Sequence, residues 1–369
     1  MTIGVLKEEE KENRVCLLPE HLPFLTKKSI SLLVEAGAGN AAFAGDDQYK
    51  EAGAVIRSRE EVLKESDILL KLHVSGDERI PEGKVLISLL SPLSNKTLVN
   101  RLAEAGVISY SLDMIPRSTR AQAVDILSSM ATIAGYKAVL VAAGRLPHFF
   151  PMFMSASGTI KPSRVLILGA GVAGLQALAT ARKLGAVVEV FDVRPAVKEE
   201  VLSLGGKFIE VEGAVDDASA GGYAVEQTEE YRQKQGELIH KHAIQSNVII
   251  ATAQIPGKKA PVLIHGKTVD AMKPGSVIVD LAASTGGNCE LTRNDETVVQ
   301  NRVTIIGNSN FPSTMPADAS KMLGRNLINF LDLMVDNEGK LNLDVEDEIV
   351  QQTCITRNGK VVNERIRDK

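Results

Sequence analysis

The sequence predicts an α/β fold of two doubly wound lobes joined by two long helices, with a cleft between them. Three observations predict it. Short apolar runs alternate with helical patterns along most of the chain. Residues 165–194, VLILGAGVAGLQALATARKLGAVVEVFDVR, place a glycine-rich turn between a strand and a helix. The 369-residue length is large for one core, so two domains are expected.

In chain order, Ile3–Leu6, Ile30–Val34, Ile68–Leu72, Val85–Leu90 and Val107–Ser111 read as short buried strands. Pro19–Lys27, Arg59–Lys64 and Asn95–Ala105 read as helices between them. Thr119–Ala143 is a long, alanine-rich helical pattern, broken by Pro147, Pro151 and a flexible-looking Ser155–Pro162. A second βαβ series follows at Val165–Leu168, Val187–Phe191, Lys207–Val211, Asn247–Ala251, Ser276–Leu281 and Val303–Ile306. Pro316–Val335 reads as a helix, and the tail after Asn337 is mostly polar. Both lobes are therefore Rossmann-like. The expected domains are residues 1–127 with 317–369, and residues 128–316. A linear two-domain arrangement is the simpler alternative.

Composition narrows the class. Hydrophobic residues make up 44% of the chain, charged residues 24% and aromatics 4%, an ordinary soluble pattern. The formal charge of −4 gives no reason to expect nucleic acid or an anionic membrane as partner. Cys16, Cys289 and Cys354 are widely spaced and form no metal-ligand or C-x-x-C pattern, so a reducing cytosol is the simple reading. The N-terminus turns highly charged from Lys7, unlike a signal peptide. No apolar run is expected to reach the ~20 residues that span a bilayer. The six histidines show no convergent carboxylate or cysteine pattern, so no metal is expected.

The glycine turn carries the first chemical expectation. Gly169, Gly171 and Gly174 fit G-x-G-x-x-G after a strand and opening a helix. In that fingerprint the first glycine permits the turn and the second lets the backbone approach a pyrophosphate. The third allows close helix–strand packing, and the helix N-terminus attracts the phosphate charge. Asp192 closes the next apolar run, where a carboxylate accepts from an adenosine ribose and repels a 2′-phosphate. NAD(H) is thus expected over NADP(H), with Val193 and Arg194 flanking the ribose. Arg194 recruited to a 2′-phosphate, or a glycine-rich turn of some other α/β fold, are the alternatives.

Two further segments stand out. Arg117, Gln122, Asp125 and Ser128 supply a guanidinium, an amide, a carboxylate and a hydroxyl near the start of the long helical pattern, with Gln122, Asp125 and Ser129 on one helix face. That set suits a nicotinamide carboxamide and its ribose diol; a helix start with a solvated polar face is the plain alternative. Gly213–Gln235 has little apolar periodicity and pairs Gly221 and Gly222 with Tyr223, as a binding loop or a surface excursion would. Gly222, Tyr223, Gln235 and Gln254 are the remaining candidate nucleotide contacts.

IGVLKEEEKENRVCLLPEHL, RSTRAQAVD, SRVLILGAGVAGLQALATARKLGAVVEVFDVR and VIVDLAASTGGN together resemble the alanine dehydrogenase/transhydrogenase family, from residue 3 to beyond 330. Within it, Arg117, Gln122 and Asp125 resemble the arginine–glutamine–aspartate loop of the NAD(H)-binding branch of proton-translocating transhydrogenases. The loop with Gly221-Gly222-Tyr223 resembles that branch's mobile loop. The resemblance implies an NAD(P) transhydrogenase (an oxidoreductase) that binds NAD(H). It further implies hydride exchange with NADP(H) on a partner component, a membrane-spanning component that couples this to proton translocation, and a homodimer. It implies a cytoplasmic location, peripheral to the inner membrane. Arg117, Gln122, Asp125 and Ser128 would orient the nicotinamide, with Gln122 nearest the reacting ring.

The departures from the dehydrogenase branch are chemical. Amino-acid oxidation needs a proton shuttle as well as a hydride acceptor. Where that branch has a histidine, this chain has Leu-Leu-Ser-Pro-Leu at 89–93; where it has a second aspartate, this chain has Ser284 after Asp280. Arg14 and Lys71, which resemble its carboxylate-binding pair, remain. Transfer between two nicotinamide C4 atoms needs no general acid and depends on positioning. An amino-acid dehydrogenase with relocated catalytic groups and a non-catalytic NAD-binding regulator stay open as alternatives.

Overall fold

The computed structural model describes residues 1–211, 228–255, 257–344 and 346–367. Two compact units divide the chain: Met1–Met130 with Pro312–Lys369, and Ala131–Phe311. In the first unit β1 (Thr2–Val5), β2 (Ser31–Glu35), β3 (Val55–Arg57), β4 (Ile68–Leu70), β5 (Val85–Ser88) and β6 (Ile108–Ser111) are parallel. Their order is β6-β5-β4-β1-β2-β3. Every residue of β4 and β5 is buried, as befits parallel strands covered on both faces.

In the second unit β7 (Phe153–Ser155) and β8 (Gly158–Ile160) form a separate antiparallel hairpin. The main sheet comprises β9 (Arg164–Leu168), β10 (Val187–Phe191), β11 (Lys207–Ile209), β12 (Val248–Ala251), β13 (Val277–Asp280), β14 (Glu296–Gln300) and β15 (Val303–Gly307). Its order is β11-β10-β9-β12-β13-β15-β14, all parallel except the edge strand β14. The chain then returns, and β16 (Cys354–Arg357) and β17 (Lys360–Val361) extend the first sheet antiparallel beside β6. The fold class is thus α/β with two Rossmann-like lobes.

Several expectations change. The polar tail contributes β16 and β17, and β3 and β14 go unforeseen because short, part-exposed edge strands carry little apolar signal. Ser155–Pro162 is not simply flexible, since residues 153–160 form the hairpin. The helix expected over 119–143 is two pieces. A 3₁₀ stretch Thr119–Val124 ends at Asp125, whose ψ of 89° leaves the helical region, and the α-helix runs Ile126–Arg145. That helix also corrects the membrane reading, because it is long and apolar enough by length and composition to cross a bilayer. A core helix passes the same test. Ala138, Val139 and Ala142 are buried in the second unit's core, and a Cβ on Gly135 would sit 2.1 Å from the Ala173 carbonyl oxygen.

Candidate functional site

In both sheets strand order reverses beside the first strand of the unit, between β9 and β12 in the second and between β1 and β4 in the first. Open α/β sheets bind ligands at the carboxyl ends of strands flanking such a point. Gly169 to Gly174 follow β9, and the three glycines differ in what surrounds them. Gly169 has φ +104°, and a Cβ there would lie 2.5 Å from Thr252 Oγ1. A Cβ on Gly174 would lie 1.8 Å from the Gly169 carbonyl oxygen, so helix and turn meet backbone to backbone. Gly171 is the N-cap of the helix Val172–Lys183, and a Cβ there would meet nothing within 4 Å. The open space over Gly171, at a helix N-terminus, fits a pyrophosphate.

Asp192 follows β10 and turns back onto this loop. Its Oδ2 accepts from the Ala170 N–H at 2.6 Å and from Arg194 Nη2 at 2.7 Å. Its Oδ1 accepts from the Arg194 N–H at 2.9 Å and from Nε at 2.8 Å. Val193 packs against the sheet's second-face core. Tyr231, buried in that core, has its hydroxyl pKa raised by burial and then by the Asp192 charge.

Gln235 is buried in the helix Glu229–Ala243, which Thr228 caps through its side chain. Residues 229–235 are therefore helical rather than part of a long loop. Gly222 and Tyr223 lie outside the described residues. Gln254 is exposed after β12, and its Nε2 donates to the Leu281 carbonyl at 3.1 Å.

Sequence reasoning missed the groups that hold these ends. Thr252 Oγ1 donates to the carbonyls of Leu168 and Gly169, both at 3.1 Å, tying the end of β12 to the glycine turn. The fully buried Asp280 accepts from the N–H groups of Ala282, Asn288 and Cys289 and from Thr292 Oγ1. Asn288 in turn accepts from the Ala253 N–H at 3.0 Å and donates to the Ala253 carbonyl at 2.9 Å. Asp280 thus organises a loop, and the Ser284 N–H beside it donates to Ser309 Oγ at 2.9 Å. The only sequence hint was a carboxylate ending a wholly apolar strand.

Arg117, Gln122, Asp125 and Ser128 all lie in the first unit. Gln122 is exposed on the 3₁₀ stretch between buried Ala121 and Val124, and Arg117 is exposed just before it. Asp125 is the cap of the long helix, not a member of its face. Its carboxylate accepts from the Ser128 N–H at 2.9 Å and from Ser128 Oγ at 2.6 Å.

At the first unit's own reversal point lies a buried ionic cluster. Glu12 Oε1 and Oε2 chelate Arg14, the closer contact being 2.6 Å, with both side chains almost fully buried. Lys71, 2% exposed, is bonded to Glu78, which also holds Arg59. Glu8 accepts from the N–H groups of Leu72 and His73 at 2.5 and 3.2 Å, joining the ends of β1 and β4. Single carboxylates do lie near histidines: His242 Nδ1 is 2.8 Å from Glu189 and His73 Nε2 is 3.7 Å from Glu12. Among the described residues, no group of three or more His, Cys, Asp or Glu is placed to hold a metal ion.

Burial pushes the Glu8 carboxyl from 4.5 up to about 7, outweighing the two backbone bonds and Lys71, which lower it. The folded chain then holds this proton more tightly than the unfolded one. Its contribution to stability is full below pH 4.5 and lost as pH rises through 7, by about 3 kcal/mol in all. Glu8→Gln is therefore expected to gain stability relative to the parent between those limits in urea titrations. A pH-independent difference would contradict the raised carboxyl.

The fold and the glycine turn define a Rossmann-type nucleotide-binding protein. Two family profiles match: alanine dehydrogenase/PNT, N-terminal domain, over residues 4–134, and alanine dehydrogenase/PNT, C-terminal domain, over 138–364. The chain belongs to the alanine dehydrogenase/PNT family. It is similar to an NAD(P) transhydrogenase subunit alpha chain of Rhodospirillum rubrum, 45% identical over 98% of each chain. It is also similar to NAD(P) transhydrogenase subunit alpha of Haemophilus influenzae, 42% identical over 98% of this chain and 72% of that one. The crystal structure of transhydrogenase from Sinorhizobium meliloti matches with a TM-score of 0.89 at 39% identity, covering 98% of this chain and all of that one. The chain therefore sits among transhydrogenase alpha subunits, an oxidoreductase family that handles nicotinamide nucleotides.

Proposed function

We propose that this chain is the NAD(H)-binding component of a proton-translocating transhydrogenase. It holds NAD(H) for direct hydride exchange with NADP(H) carried by a partner component, and a membrane-spanning component couples that exchange to proton movement. The chain is then peripheral to the cytoplasmic face of the inner membrane through those partners. One observation carries the reading. A built dinucleotide turn stands beside Asp192, while the positions for amino-acid proton transfer hold Ser284 and the run Leu89–Leu93. An amino-acid dehydrogenase would also need Arg14 and Lys71 to meet a substrate carboxylate, and Glu12 and Glu78 already engage them.

Within this reading Gly169, Gly171 and Gly174 accommodate the pyrophosphate, Asp192 takes the adenosine ribose, and Val193 and Arg194 flank it. Arg117, Gln122, Asp125 and Ser128 orient the nicotinamide and its ribose, Gln122 nearest the reacting ring. The cap formed by Asp125 and Ser128 fixes their positions in advance. Gly222, Tyr223, Gln235 and Gln254 are further contacts, the first two lying outside the described residues. When bound, NAD(H) supplies or accepts the hydride at ring C4, and the chain's residues contribute orientation and exclusion of water.

The test compares two mixtures. The chain with NADH, pyruvate and ammonium is expected to show no oxidation. The chain with the NADP(H)-binding component of a transhydrogenase is expected to reduce an NAD analogue at the expense of NADPH. The reverse pattern would sink the proposal.

A homodimer is part of the same reading. The hairpin β7–β8 forms a sheet of its own, and Met152, Met154, Phe153 and Ile160 on it or beside it are exposed, Met154 at 69%. Apolar side chains on an unpaired hairpin favour burial against another chain. Met154→Asp is expected to convert the dimer to monomer in sedimentation equilibrium, with folding unchanged. A variant as dimeric as the parent would remove the hairpin from the interface.

A further inference from the structure

Asp192 is the residue the proposed function assigns to the adenosine ribose, and its carboxylate is already saturated. A carboxylate offers about four acceptor positions. Two of them are filled by backbone N–H groups, Ala170 onto Oδ2 and Arg194 onto Oδ1. Those donors are set by the turn after β9 and the end of β10 and do not leave without moving the strands. The other two are filled by the Arg194 guanidinium, Nε onto Oδ1 at 2.8 Å and Nη2 onto Oδ2 at 2.7 Å. That fork delivers one donor to each carboxylate oxygen, the pattern a vicinal diol also delivers.

We infer that Arg194 is a displaceable stand-in for the ribose diol: the adenosine 2′- and 3′-hydroxyls bind Asp192 by taking over the two positions its guanidinium holds. The inference rests on reading residues 169–194 as the adenosine end of the NAD(H) site. Three features support the exchange. The guanidinium reaches Asp192 from only two residues away, on a flexible stem whose side chain is 19% exposed against 6% for Asp192. The backbone donors remain in place, so the carboxylate stays oriented while its partner changes. A 2′-phosphate presents acceptors only, so it cannot replace the donors that Arg194 withdraws. Displacement thus admits a free diol and rejects a phosphorylated one.

Displacing a charge-assisted, nearly buried pair costs affinity, and removing the competitor returns it. The test measures binding of NADH and of reduced nicotinamide mononucleotide, which lacks adenosine, by calorimetry. Arg194→Met keeps the apolar stem and removes the fork. It is expected to bind NADH roughly threefold to tenfold tighter than the parent, with mononucleotide affinity unchanged. Arg194→Lys, with one point charge in place of the fork, is expected to fall between and covers a folding failure of the methionine variant. Unchanged or weaker NADH binding by a variant with the parent's melting temperature overturns the inference, as does equal tightening for both ligands. A parent protein that binds no NADH overturns the proposed function as well, which separates the two failures.

Discussion

Gln122→Asn is expected to slow hydride transfer by about 100-fold while leaving NADH affinity within about threefold, because shortening the side chain by one methylene moves its amide by more than about 1 Å. The backbone around Gln122 is well held. Ala121 and Val124 are buried on either side, and its carbonyl accepts from the Asp125 N–H at 3.3 Å. The substitution therefore changes the reach of an exposed amide and little else. Single-turnover kinetics with the NADPH-loaded partner component, beside an NADH titration, read the two effects separately. Unchanged transfer would remove Gln122 from the reacting ring; lost NADH binding would make it an anchor rather than a positioning group.

Gly174→Ala and Gly171→Ala are expected to fail in opposite ways, although the two residues are three apart in one motif. At Gly174 the added methyl meets the Gly169 carbonyl at 1.8 Å, a backbone atom that cannot yield without opening the turn. A loss of about 3–5 kcal/mol of folding stability follows. At Gly171 the backbone angles, φ −79° and ψ −173°, suit alanine, and a Cβ meets nothing within 4 Å. Stability should change by less than about 0.5 kcal/mol. NADH affinity should nevertheless fall by about tenfold or more, because the methyl fills the space the pyrophosphate approaches. Urea unfolding and NADH titration of both variants measure this; a Gly171→Ala protein that binds like the parent would place the pyrophosphate elsewhere.

The parallel strands were legible in the sequence because burial on both faces makes them unbroken apolar runs, as in Val165–Leu168 and Val277–Val279. The edges were not. Glu296–Gln300 is an edge strand exposed along most of its length, and Cys354–Arg357 pairs with β6, far earlier in the chain, so neither shows an unbroken apolar run. The break at Asp125 was hidden because helical spacing continues through it, whereas its backbone leaves the helical region there and its side chain caps the next helix. The glycine fingerprint was readable by its spacing, since Gly169 and Gly174 answer backbone requirements and Gly171 leaves open space at the helix N-terminus. The groups that hold it together, Thr252, Asp280 and Asn288, act through loops far apart in sequence, and no spacing rule reveals them. The long apolar helix Ile126–Arg145 shows the converse: composition alone does not say which neighbour such a helix packs against.

The central claim is direct transfer of a hydride from one nicotinamide to another, with no proton-handling group in this chain taking part. It is tested most directly by mixing the chain with the NADP(H)-binding component, NAD⁺, and NADPH carrying deuterium at the transferred C4 position, in ordinary water. The account predicts that the deuterium appears in NADH without dilution. Label released to water, or NADH formed without it, would contradict direct transfer.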